Sequence, residues 1–291
     1  MTPVSVERVG RMKIVIVGGR SSLALALRPV LSTFAEVVTV GRSGCDVALD
    51  LEHIPDGFAF PPGVDAVINT AAAIDRGGDD PGRICRVNVA AVASLSRLCV
   101  EAGVGQFVQI SSIFARLPVH SPYFGPYALS KRQSEEWVAG FAAKGLRAAV
   151  VRPAQFYGSG PASRANQPFL AAAFERAREG EDIFIYGGND ALRNFVHLDD
   201  VVEVIARIVR RRLVGTYDVV APKNVRLSEV AHAAIAAFGS ASTVRFLPDK
   251  PDIADNPFTP DDTLATALGY VPRISIEEGM RMAVAHARGA P

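Results

Sequence analysis

Short apolar runs alternate with segments of helical length along the first half of the chain. The runs that predict strands are Ile14–Val17, Val37–Val40, Ala66–Asn69, Phe107–Ile110 and Ala148–Val151. Helices are predicted from Ser22 into the low thirties, over Ile84–Ala102, and from Tyr127 through Trp137. Because apolar strands that alternate with helices are typical of a sheet covered on both faces, the pattern predicts an α/β fold with a doubly wound parallel sheet.

The second half of the chain departs from this alternation. A loop over a pocket is predicted for Ala154–Ala165, which is rich in Gly, Pro, Ser and Asn. The elements predicted after it are the helix Phe169–Glu179, the strand Ile183–Tyr186, the helix Val201–Arg212, the strand Thr216–Val219, the helix Glu229–Phe238, the strand Val244–Leu247 and a last helix after Ser275. The caps expected for three of these helices are Asp200 with Glu203, Ser228, and Ser275.

Composition argues against several classes of protein. Of the 291 residues, 49% are apolar and 21% charged, and the formal net charge is +1. These values give no electrostatic argument for a nucleic acid or a membrane as partner. No apolar run is long enough to span a membrane, and the first eleven residues lack a signal-peptide pattern. The three cysteines, Cys45, Cys85 and Cys99, fit neither a disulfide framework nor a metal site, so we expect reduced thiols in a cytoplasmic protein.

Tyr127 and Lys131 are the strongest candidates for chemistry. Residues four apart lie on one face of a helix, so the phenol and the ammonium can share a cavity. We expect the neighbouring cation to lower the pKa of Tyr127 from its ordinary value of about 10 toward neutrality. The strand Phe107–Ile110 ends in Ser111 and Ser112, and open α/β sheets place their chemistry at such strand ends. An exposed pair on a helix surface is the alternative that Tyr127 and Lys131 alone leave open.

The turn after the first predicted strand carries part of a dinucleotide fingerprint. Small residues, Gly18, Ser21 and Ala24, stand at the three spaced positions where the backbone would approach a pyrophosphate. Since Ser carries a Cβ, the second position must avoid strongly positive φ. The helix that begins at Ser21, Ser22 and Leu23 would offer unpaired N–H groups to a phosphate, although an ordinary strand-to-helix turn would also fit.

The end of the second predicted strand bears on the choice of dinucleotide. Gly41-Arg42-Ser43 stands where a carboxylate would hold the adenosine ribose of NAD. Arg42, together with Arg20 from the glycine turn, could instead bind a 2′-phosphate. These residues favour NADP(H) over NAD(H), with solvent exposure of both arginines as the alternative.

Motifs along most of the chain resemble those of one family. The segments that carry the resemblance are Val17-Gly18-Gly19, Asp50-Leu51, Asn69-Thr-Ala-Ala-Ala73, Val87-Asn88-Val89, Ile110-Ser-Ser112, Pro126-Tyr-Ala-Leu-Ser-Lys131, Val151-Arg-Pro153 and Arg193-Asn-Phe-Val-His-Leu-Asp-Asp200. From Met12 to about Ala287 the chain resembles an extended short-chain dehydrogenase/reductase of the NAD-dependent epimerase/dehydratase family, whose members modify nucleotide-activated sugars. Its compact first half looks most like that of the dTDP-4-dehydrorhamnose reductases.

The resemblance implies a division of the chain. Residues 1–11 would form a loose tail, residues 12–153 a Rossmann-type NAD(P)-binding domain, and residues 154–291 mainly a smaller α+β lobe that binds substrate. Part of the last segment, about residues 195–215, would return to the Rossmann domain. The helices Ile84–Ala102 and Tyr127–Ala143 would join two copies of the chain as a homodimer.

The resemblance also implies roles for particular residues. The cofactor contacts that it adds are Asp50 and Leu51 at the adenine, Ala71 and Ala72 along the cofactor, Asn88, Tyr127 and Lys131 near the nicotinamide ribose, and Pro153. Ser112 would hold the substrate oxygen near Tyr127, and Arg193 would contact the diphosphate of a nucleotide-sugar substrate. A turn-forming Asp50, an ordinary helical Asn88 and a surface Arg193 are the alternatives.

One departure from the family narrows the reaction. Sugar 4,6-dehydratases follow the active-site Ser or Thr with Asp-Glu, whereas Ile113 and Phe114 follow Ser112 here, so no dehydratase is predicted. The predicted function is reduction of the 4-keto group of a nucleotide sugar, with hydride from NADPH and a proton from Tyr127. The alternatives are 4-epimerisation with retained cofactor, reduction of a non-sugar ketone, and dinucleotide sensing without catalysis.

Overall fold

Seven parallel strands form the central sheet. They are β1 (Met12–Val17), β2 (Ala35–Gly41), β3 (Val47–Ala48), β4 (Ala66–Asn69), β5 (Phe107–Ile110), β6 (Ala148–Pro153) and β11 (Gly215–Val219). Their order across the sheet is β11-β6-β5-β4-β1-β2-β3. The chain therefore builds outward from β1 in one direction, crosses back to β4, and continues in the other, which confirms the predicted doubly wound α/β fold.

A computed structural model describes residues 11–74, 80–160, 163 and 166–289. The predicted tail lies outside these residues except for Arg11, and four residues of the predicted loop, 161, 162, 164 and 165, lie outside them too. The helices in the described part are α1 (Ser22–Leu31), α2 (Pro81–Cys85), α3 (Ala91–Glu101), α4 (Pro126–Ala142), α5 (Pro168–Glu179), α6 (Leu198–Arg211), α7 (Leu227–Phe238), α8 (Thr263–Leu268) and α9 (Ile276–Ala287).

Alternate residues of β1 face opposite layers of helices, because successive side chains of a strand point to opposite faces. Ile14 and Ile16 belong to a core that α1 and α6 complete. Val15 and Val17 belong to the core on the other face, which α3 and α4 complete. All four side chains are at most 1% exposed, which explains why β1 reads as an unbroken apolar run.

The remaining elements form a smaller α+β lobe. Its strands are β7 (Gln155–Tyr157), β8 (Ile183–Tyr186), β9 (Leu192–Arg193), β10 (Phe195–His197), β12 (Val225–Arg226) and β13 (Val244–Leu247). They pair as three ribbons, β7 with β10, β9 with β12, and β8 with β13. Helices α5, α7 and α9 share the core of this lobe. Helix α6 packs with α1, and β11 is the edge of the main sheet; the domain boundaries themselves stay a prediction.

The helix predicted over Ile84–Ala102 is interrupted. It begins at Pro81, passes through a π-helical turn at Arg86–Ala90, and continues as α3. A π turn inserts one residue into the helical repeat and commonly marks a functional position. Asn88 lies in the middle of this turn and is 1% exposed.

Two of the predicted helix caps were wrong. Helix α6 begins at Leu198, and its N-cap is His197, whose Nδ1 accepts the N–H of Asp199 at 3.2 Å. Ser228 does not cap α7, because both its N–H and its hydroxyl donate to the carboxylate of Asp190, at 3.0 and 2.5 Å. In both cases a distant segment occupies the side chain that was predicted to cap the helix, because Asp200 accepts hydrogen bonds from residues 270–274 and Ser228 donates to Asp190. Ser275 does cap α9, as predicted, by accepting the N–H of Glu278.

Asp200 holds the chain after α8 against α6. It is 1% exposed and accepts the hydroxyl of Tyr270 at 2.5 Å and the backbone N–H groups of Arg273 and Ile274 at 3.2 and 3.0 Å. A buried carboxylate that accepts three hydrogen bonds is well compensated for its lost hydration. Burial, and then the bond to this carboxylate, raise the pKa of Tyr270, so its hydroxyl remains a donor.

No helix in the described ranges is both long and apolar enough to cross a membrane. Cys45, Cys85 and Cys99 are free cysteines. Burial raises the pKa of the Cys99 thiol above its ordinary value, so this cysteine stays protonated at neutral pH.

Asp200→Ala is expected to lower the free energy of unfolding by about 2–4 kcal/mol, since it leaves three donors without their acceptor in a buried place. Asp199→Ala is the matched control, because this neighbouring side chain is 58% exposed. Urea unfolding of both variants measures the difference. Equal losses in the two variants would contradict the anchoring role of Asp200.

Candidate active site

Two cavities of about 510 Å³ each lie along the edge of the sheet where the parallel strands end. The first cavity lies at the ends of β1, β2 and β4. The predicted cofactor residues that line it are Gly18, Arg20, Ser21, Arg42, Asp50, Leu51, Ala71 and Ala72. The second cavity lies at the ends of β5 and β6, and the predicted residues that line it are Ser112, Tyr127 and Pro153. The structure thus brings eleven of the predicted site residues to one edge.

Gly18 is the point at which the turn after β1 passes closest to the end of β4. Its φ is +81°, and a Cβ placed there would lie 2.7 Å from the backbone nitrogen of Ala71. Both the conformation and the contact therefore require glycine. Ser21 has φ −63° and caps α1 by accepting the N–H of Ala24, so the second position of the fingerprint avoids positive φ, as predicted.

Two arginines from different turns line the first cavity. Arg42 follows β2 directly and Arg20 lies in the turn after β1, and Nη1 of Arg20 donates to the hydroxyl of Ser43 at 3.0 Å. Asp46 is not among the lining residues: its Oδ2 accepts the N–H and the hydroxyl of Thr39 at 2.8 and 2.7 Å. These bonds from Thr39 hold the pKa of Asp46 below its ordinary value.

Two carboxylates, Asp50 and Glu52, also line the first cavity. Asp50 accepts the N–H of Glu52 at 3.0 Å, as a turn former does, and it also faces the cavity. Glu52 is held by Arg83 and Arg86 at 3.0 and 3.2 Å. Hydrogen bonding from Arg83 is the main reason that the pKa of Glu52 lies below its ordinary value.

Asn88 joins the segment after β4 to helix α4. Its carbonyl oxygen accepts the N–H of Ala73 at 2.7 Å, and its amide donates to the carbonyl of Ala73 at 2.8 Å and to the hydroxyl of Ser130 at 3.0 Å. Its partner Ser130 directly precedes Lys131 in the sequence, but Asn88 itself lines neither cavity. Its observed contacts fix the position of α4 relative to the sheet.

Ser112 and Tyr127 line the second cavity together, and the Ser112 hydroxyl also accepts the N–H of Phe114 at 3.2 Å. The predicted lowering of the Tyr127 pKa was wrong in direction. Burial raises this pKa to about 12, and the nearby Ser112 hydroxyl opposes the shift only in part. The physical reason is that a phenolate loses hydration in the cavity, and the Lys131 ammonium lies 5.7 Å from the centre of the phenol ring with a partner of its own.

Lys131 is buried, with 2% of its surface exposed, beneath the wall of the second cavity. Its Nζ donates to the carbonyl of Ile110 at 2.9 Å. Burial lowers the pKa of Lys131 to about 8, while the charge of Glu135 on the same helix opposes that shift. The ammonium therefore remains charged at neutral pH and begins to lose its proton not far above it.

Arg193 is bonded within the protein and does not line either cavity. Its guanidinium donates to the carbonyl of Ala254 at 2.7 Å and to the hydroxyl of Tyr123 at 2.6 Å, and it lies 5.1 Å from the centre of the Tyr123 ring. It is 7% exposed, which rules out the alternative of a surface arginine. Since Tyr123 lines the second cavity, Arg193 reaches that cavity through Tyr123.

Several residues of the second cavity were not assigned to the site from sequence. They are Phe114, Tyr123, Asn166 and Gln167. Gln155 and Phe156 belong to the segment predicted as a loop over a pocket, and they do line the cavity, but they lie in strand β7 and not in a loop. Gln155 donates to Oε1 of Gln167 at 3.1 Å. No local pattern marks Asn166 or Gln167, which a loop brings into the wall.

Ser22 and Leu23 do not line the first cavity. Leu23 is 2% exposed and belongs to the apolar core beneath α1. The hydroxyl of Ser22 accepts the amide of Asn166 at 3.3 Å, which links the start of α1 to the wall of the second cavity. Since Ser22 directly follows Ser21, which lines the first cavity, this bond connects the borders of the two cavities.

Comparison with known proteins gives consistent results. The sequence model of the NAD dependent epimerase/dehydratase family matches residues 16–221. The low-salt glycan biosynthesis protein Agl12 of Haloferax volcanii is 24% identical over 238 residues, which cover 76% of this chain and 74% of that protein. A dTDP-4-dehydro-6-deoxy-D-allose reductase from a Streptomyces species is 25% identical over 148 residues, 50% of this chain and 45% of that one.

Solved structures of similar fold cover almost the whole chain. A UDP-N-acetylglucosamine 4-epimerase from Bacillus cereus superimposes with a TM-score of 0.78 at 19% identity, over 96% of this chain and 97% of that one. The RMD protein from Pseudomonas aeruginosa, solved with NADPH, superimposes with a TM-score of 0.79 at 20% identity, over 96% and 100%. At these identities the likeness establishes a common fold.

Proposed function

This chain belongs to the NAD-dependent epimerase/dehydratase family, and we propose that it is an NADPH-dependent reductase acting on the 4-keto group of a nucleotide-activated sugar. The observation that carries the proposal is the Ser112–Tyr127 hydroxyl pair, which faces one cavity while Arg20 and Arg42 face its neighbour. A dinucleotide bound in the first cavity would have its reactive end at the second.

The first cavity fits a dinucleotide in shape and in chemistry. Gly18 has no side chain to collide with Ala71 and takes a φ of +81°, so the turn passes close to the end of β4 with its backbone along the cavity, where it could approach a pyrophosphate. The N-terminus of α1, a helix of 10 residues, follows directly with unpaired N–H groups. Ala71 and Ala72 line the cavity with little bulk. These features support the proposed cofactor contacts.

The proposed mechanism uses two hydroxyl groups and one ammonium. A bound NADPH would supply the hydride. Ser112 would hold the substrate carbonyl oxygen by a hydrogen bond, and Tyr127 would give that oxygen its proton. Since burial raises the pKa of Tyr127 to about 12, its phenol is protonated throughout the neutral range and suits a proton donor. Lys131, still charged at neutral pH, would bind the nicotinamide ribose.

The state of Tyr127 favours reduction over epimerisation. A 4-epimerase must both remove and return a proton at the same oxygen, so it needs a base as well as an acid. With a pKa of about 12, Tyr127 is almost entirely protonated at neutral pH, so little phenolate is present to act as the base. Epimerisation with retained cofactor is therefore the alternative within the family.

Reduction of a non-sugar ketone is the second candidate, and one observation favours it. Among the residues that the structure describes, the second cavity is lined by uncharged side chains, including Phe114, Tyr123 and Phe156. Arg193, the proposed diphosphate contact, is instead bonded to Tyr123 and Ala254. A nucleotide sugar would have to exchange these bonds for its phosphates, whereas an apolar ketone would leave them in place.

The purified protein is expected to oxidise NADPH when a 4-keto nucleotide sugar is present, because the proposed proton donor and cofactor site adjoin one cavity. Tyr127→Phe should lower kcat by about 10²–10⁴-fold, since it removes only the donated proton. The loss of NADPH absorbance, followed with a panel of keto-sugar nucleotides and non-sugar ketones, measures NADPH oxidation by the wild type and the kcat of Tyr127→Phe. Turnover of non-sugar ketones alone would replace the sugar hypothesis with the second candidate, and an unchanged rate in Tyr127→Phe would remove Tyr127 from the mechanism.

NADPH is expected to bind more tightly than NADH because Arg20 and Arg42 can both contact a 2′-phosphate. Arg42→Ala should weaken NADPH binding by about 10-fold or more and leave NADH binding nearly unchanged, which corresponds to the loss of one charged hydrogen bond. Arg28→Ala is a control on α1, outside the cavity lining. Titration by cofactor fluorescence gives both affinities, and equal affinities of the wild type for NADPH and NADH would contradict the preference.

A homodimer through α3 and α4 is also proposed. These helices expose apolar side chains, with Val100 44%, Leu129 42% and Trp137 50% exposed, and exposed apolar surface favours association. Trp137→Glu is expected to convert the dimer to a monomer in light scattering coupled to gel filtration. Val119→Glu, at a 71% exposed position outside these helices, should not. A monomeric wild type would exclude the dimer.

A further inference from the structure

Glu135 is a partly buried carboxylate for which the proposed reaction has no use. Its side chain is 12% exposed. It lies on α4 one turn after Lys131, which itself lies one turn after Tyr127. Residues with this spacing occupy one face of a helix, so the three groups form a row that runs away from the second cavity.

Glu135 contacts the strand end that carries Ser112. Its Oε1 accepts the hydroxyl of Ser111 in a short hydrogen bond. Ser111 stands between Ile110, whose carbonyl accepts Lys131 at 2.9 Å, and Ser112, which lines the second cavity together with Tyr127. The end of β5 is thus bonded to α4 at two consecutive residues, and Glu135 makes the bond that lies next to Ser112.

A series of alternating charges holds Glu135 in place. Arg152 on β6 binds both of its oxygens, through Nε at 2.9 Å and Nη2 at 2.5 Å. Arg152 also contacts Asp218 on β11 at 3.5 Å, and Asp218 accepts Arg116. Arg116 ends the 3₁₀ turn Ile113–Arg116 that begins directly after Ser112. The two ends of the series therefore flank Ser112: Glu135 is bonded to Ser111, which precedes it, and Arg116 belongs to the turn that follows it.

We propose that Glu135 is a positioning residue, which fixes the Ser112 backbone against α4 and keeps a negative charge one helical turn from the Lys131 ammonium. The inference deepens the proposed function and rests on it. Two-point binding by Arg152 sets the orientation of the carboxylate. A carboxylate bound in this way is rigid, and rigid support is what a catalytic hydroxyl needs to stay in a productive geometry.

The charge of Glu135 has a definite effect on Lys131. Burial lowers the pKa of Lys131 to about 8, and Glu135 opposes this shift because it stabilises the charged form. Removing that charge should lower the pKa of Lys131 further, so the ammonium would lose its proton at a lower pH. The other charged or titratable groups on the elements packed around this pair are Tyr127, Arg132 and Glu136 on α4, Arg152 on β6, Tyr217 and Asp218 on β11, Arg116 on the 3₁₀ turn, and Arg97, Cys99 and Glu101 on α3. The Tyr127 phenol and the Cys99 thiol are neutral at the pH concerned, since burial raises the pKa of each.

Glu135→Gln tests the proposal, because Gln keeps the shape and an acceptor for Ser111 and removes the charge. The measurements are the Kd for NADPH and kcat between pH 6 and 10. In the wild type both are expected to worsen above about pH 8 as Lys131 loses its charge. In Glu135→Gln the decline should begin about one pH unit lower, which makes about a fivefold difference in the charged fraction of Lys131 at pH 8 and about a tenfold difference at pH 9 to 10. Glu136→Gln, an exposed carboxylate on the same turn, should behave as the wild type.

Two further variants separate the charge from the contact. Ser111→Ala removes the tie and keeps the charge, so kcat should fall several-fold with an unchanged pH at which the decline begins. Glu135→Asp also keeps the charge and should retain the wild-type pH dependence. These variants keep the test decisive even where Glu135→Gln folds poorly. An unshifted decline in folded Glu135→Gln, or a decline shifted equally in Glu136→Gln, would overturn the proposal.

The NADPH titration also distinguishes failure of this inference from failure of the proposed function. NADPH binding with the shifted decline, but no turnover of any keto-sugar nucleotide, would support the role of Glu135 and reject the substrate. Turnover of a keto-sugar nucleotide with the same pH dependence in Glu135→Gln and in the wild type would support the proposed substrate and reject the role of Glu135. A wild type that binds no NADPH at any pH would remove the basis of both.

Discussion

Keeping the Lys131 ammonium charged inside the protein is the constraint on which the geometry of the site depends. A buried cation loses much of its hydration and must recover that free energy from hydrogen bonds and from nearby negative charge. The carbonyl of Ile110 supplies the hydrogen bond, and Glu135 supplies the charge. Glu135 lies on α4 with Lys131, whereas Ile110 lies on β5, so the hydrogen bond from Lys131 to Ile110 fixes α4 against the end of β5. The meeting of Ser112 with Tyr127 then follows from that placement.

The two cavities adjoin because of the order of the strands. The chain builds from β1 toward β3 and then returns to β4, and a doubly wound sheet leaves a crevice at the point of reversal. Gly18 and Ala71 lie against each other at the ends of the neighbouring strands β1 and β4. Arg20 and Arg42 line the first cavity, and Ser112 and Tyr127 line the second one at the same edge of the sheet. The proposed function would therefore place cofactor binding and proton transfer in two different cavities of one sheet edge.

Directional polar contacts join the C-terminal part of the chain to the site. Asp200 gathers three donors from the segment after α8, and Arg193 bonds Tyr123 to Ala254. Such contacts are directional, so they set the position of the aromatic wall of the second cavity as well as stabilising it. Asn166 reaches from that wall to Ser22 at the start of α1. The shape of the second cavity is consequently a property of both lobes.

The sequence by itself determined the sheet, the strands β4, β5, β8 and β13 to the residue, the family, and the hydroxyl, phenol and amine of the site. These depend on local apolar runs and on short spacings, which one stretch of chain contains in full. Only the tertiary structure decided the pKa of Tyr127, the occupation of Asp200 and Ser228 by partners other than their helices, the enclosure of Arg193, and the contacts of Glu135. Each of these depends on a group from a distant segment or on the loss of water around a buried side chain. The local sequence cannot show a distant partner or the loss of water, because both arise only when the elements pack together.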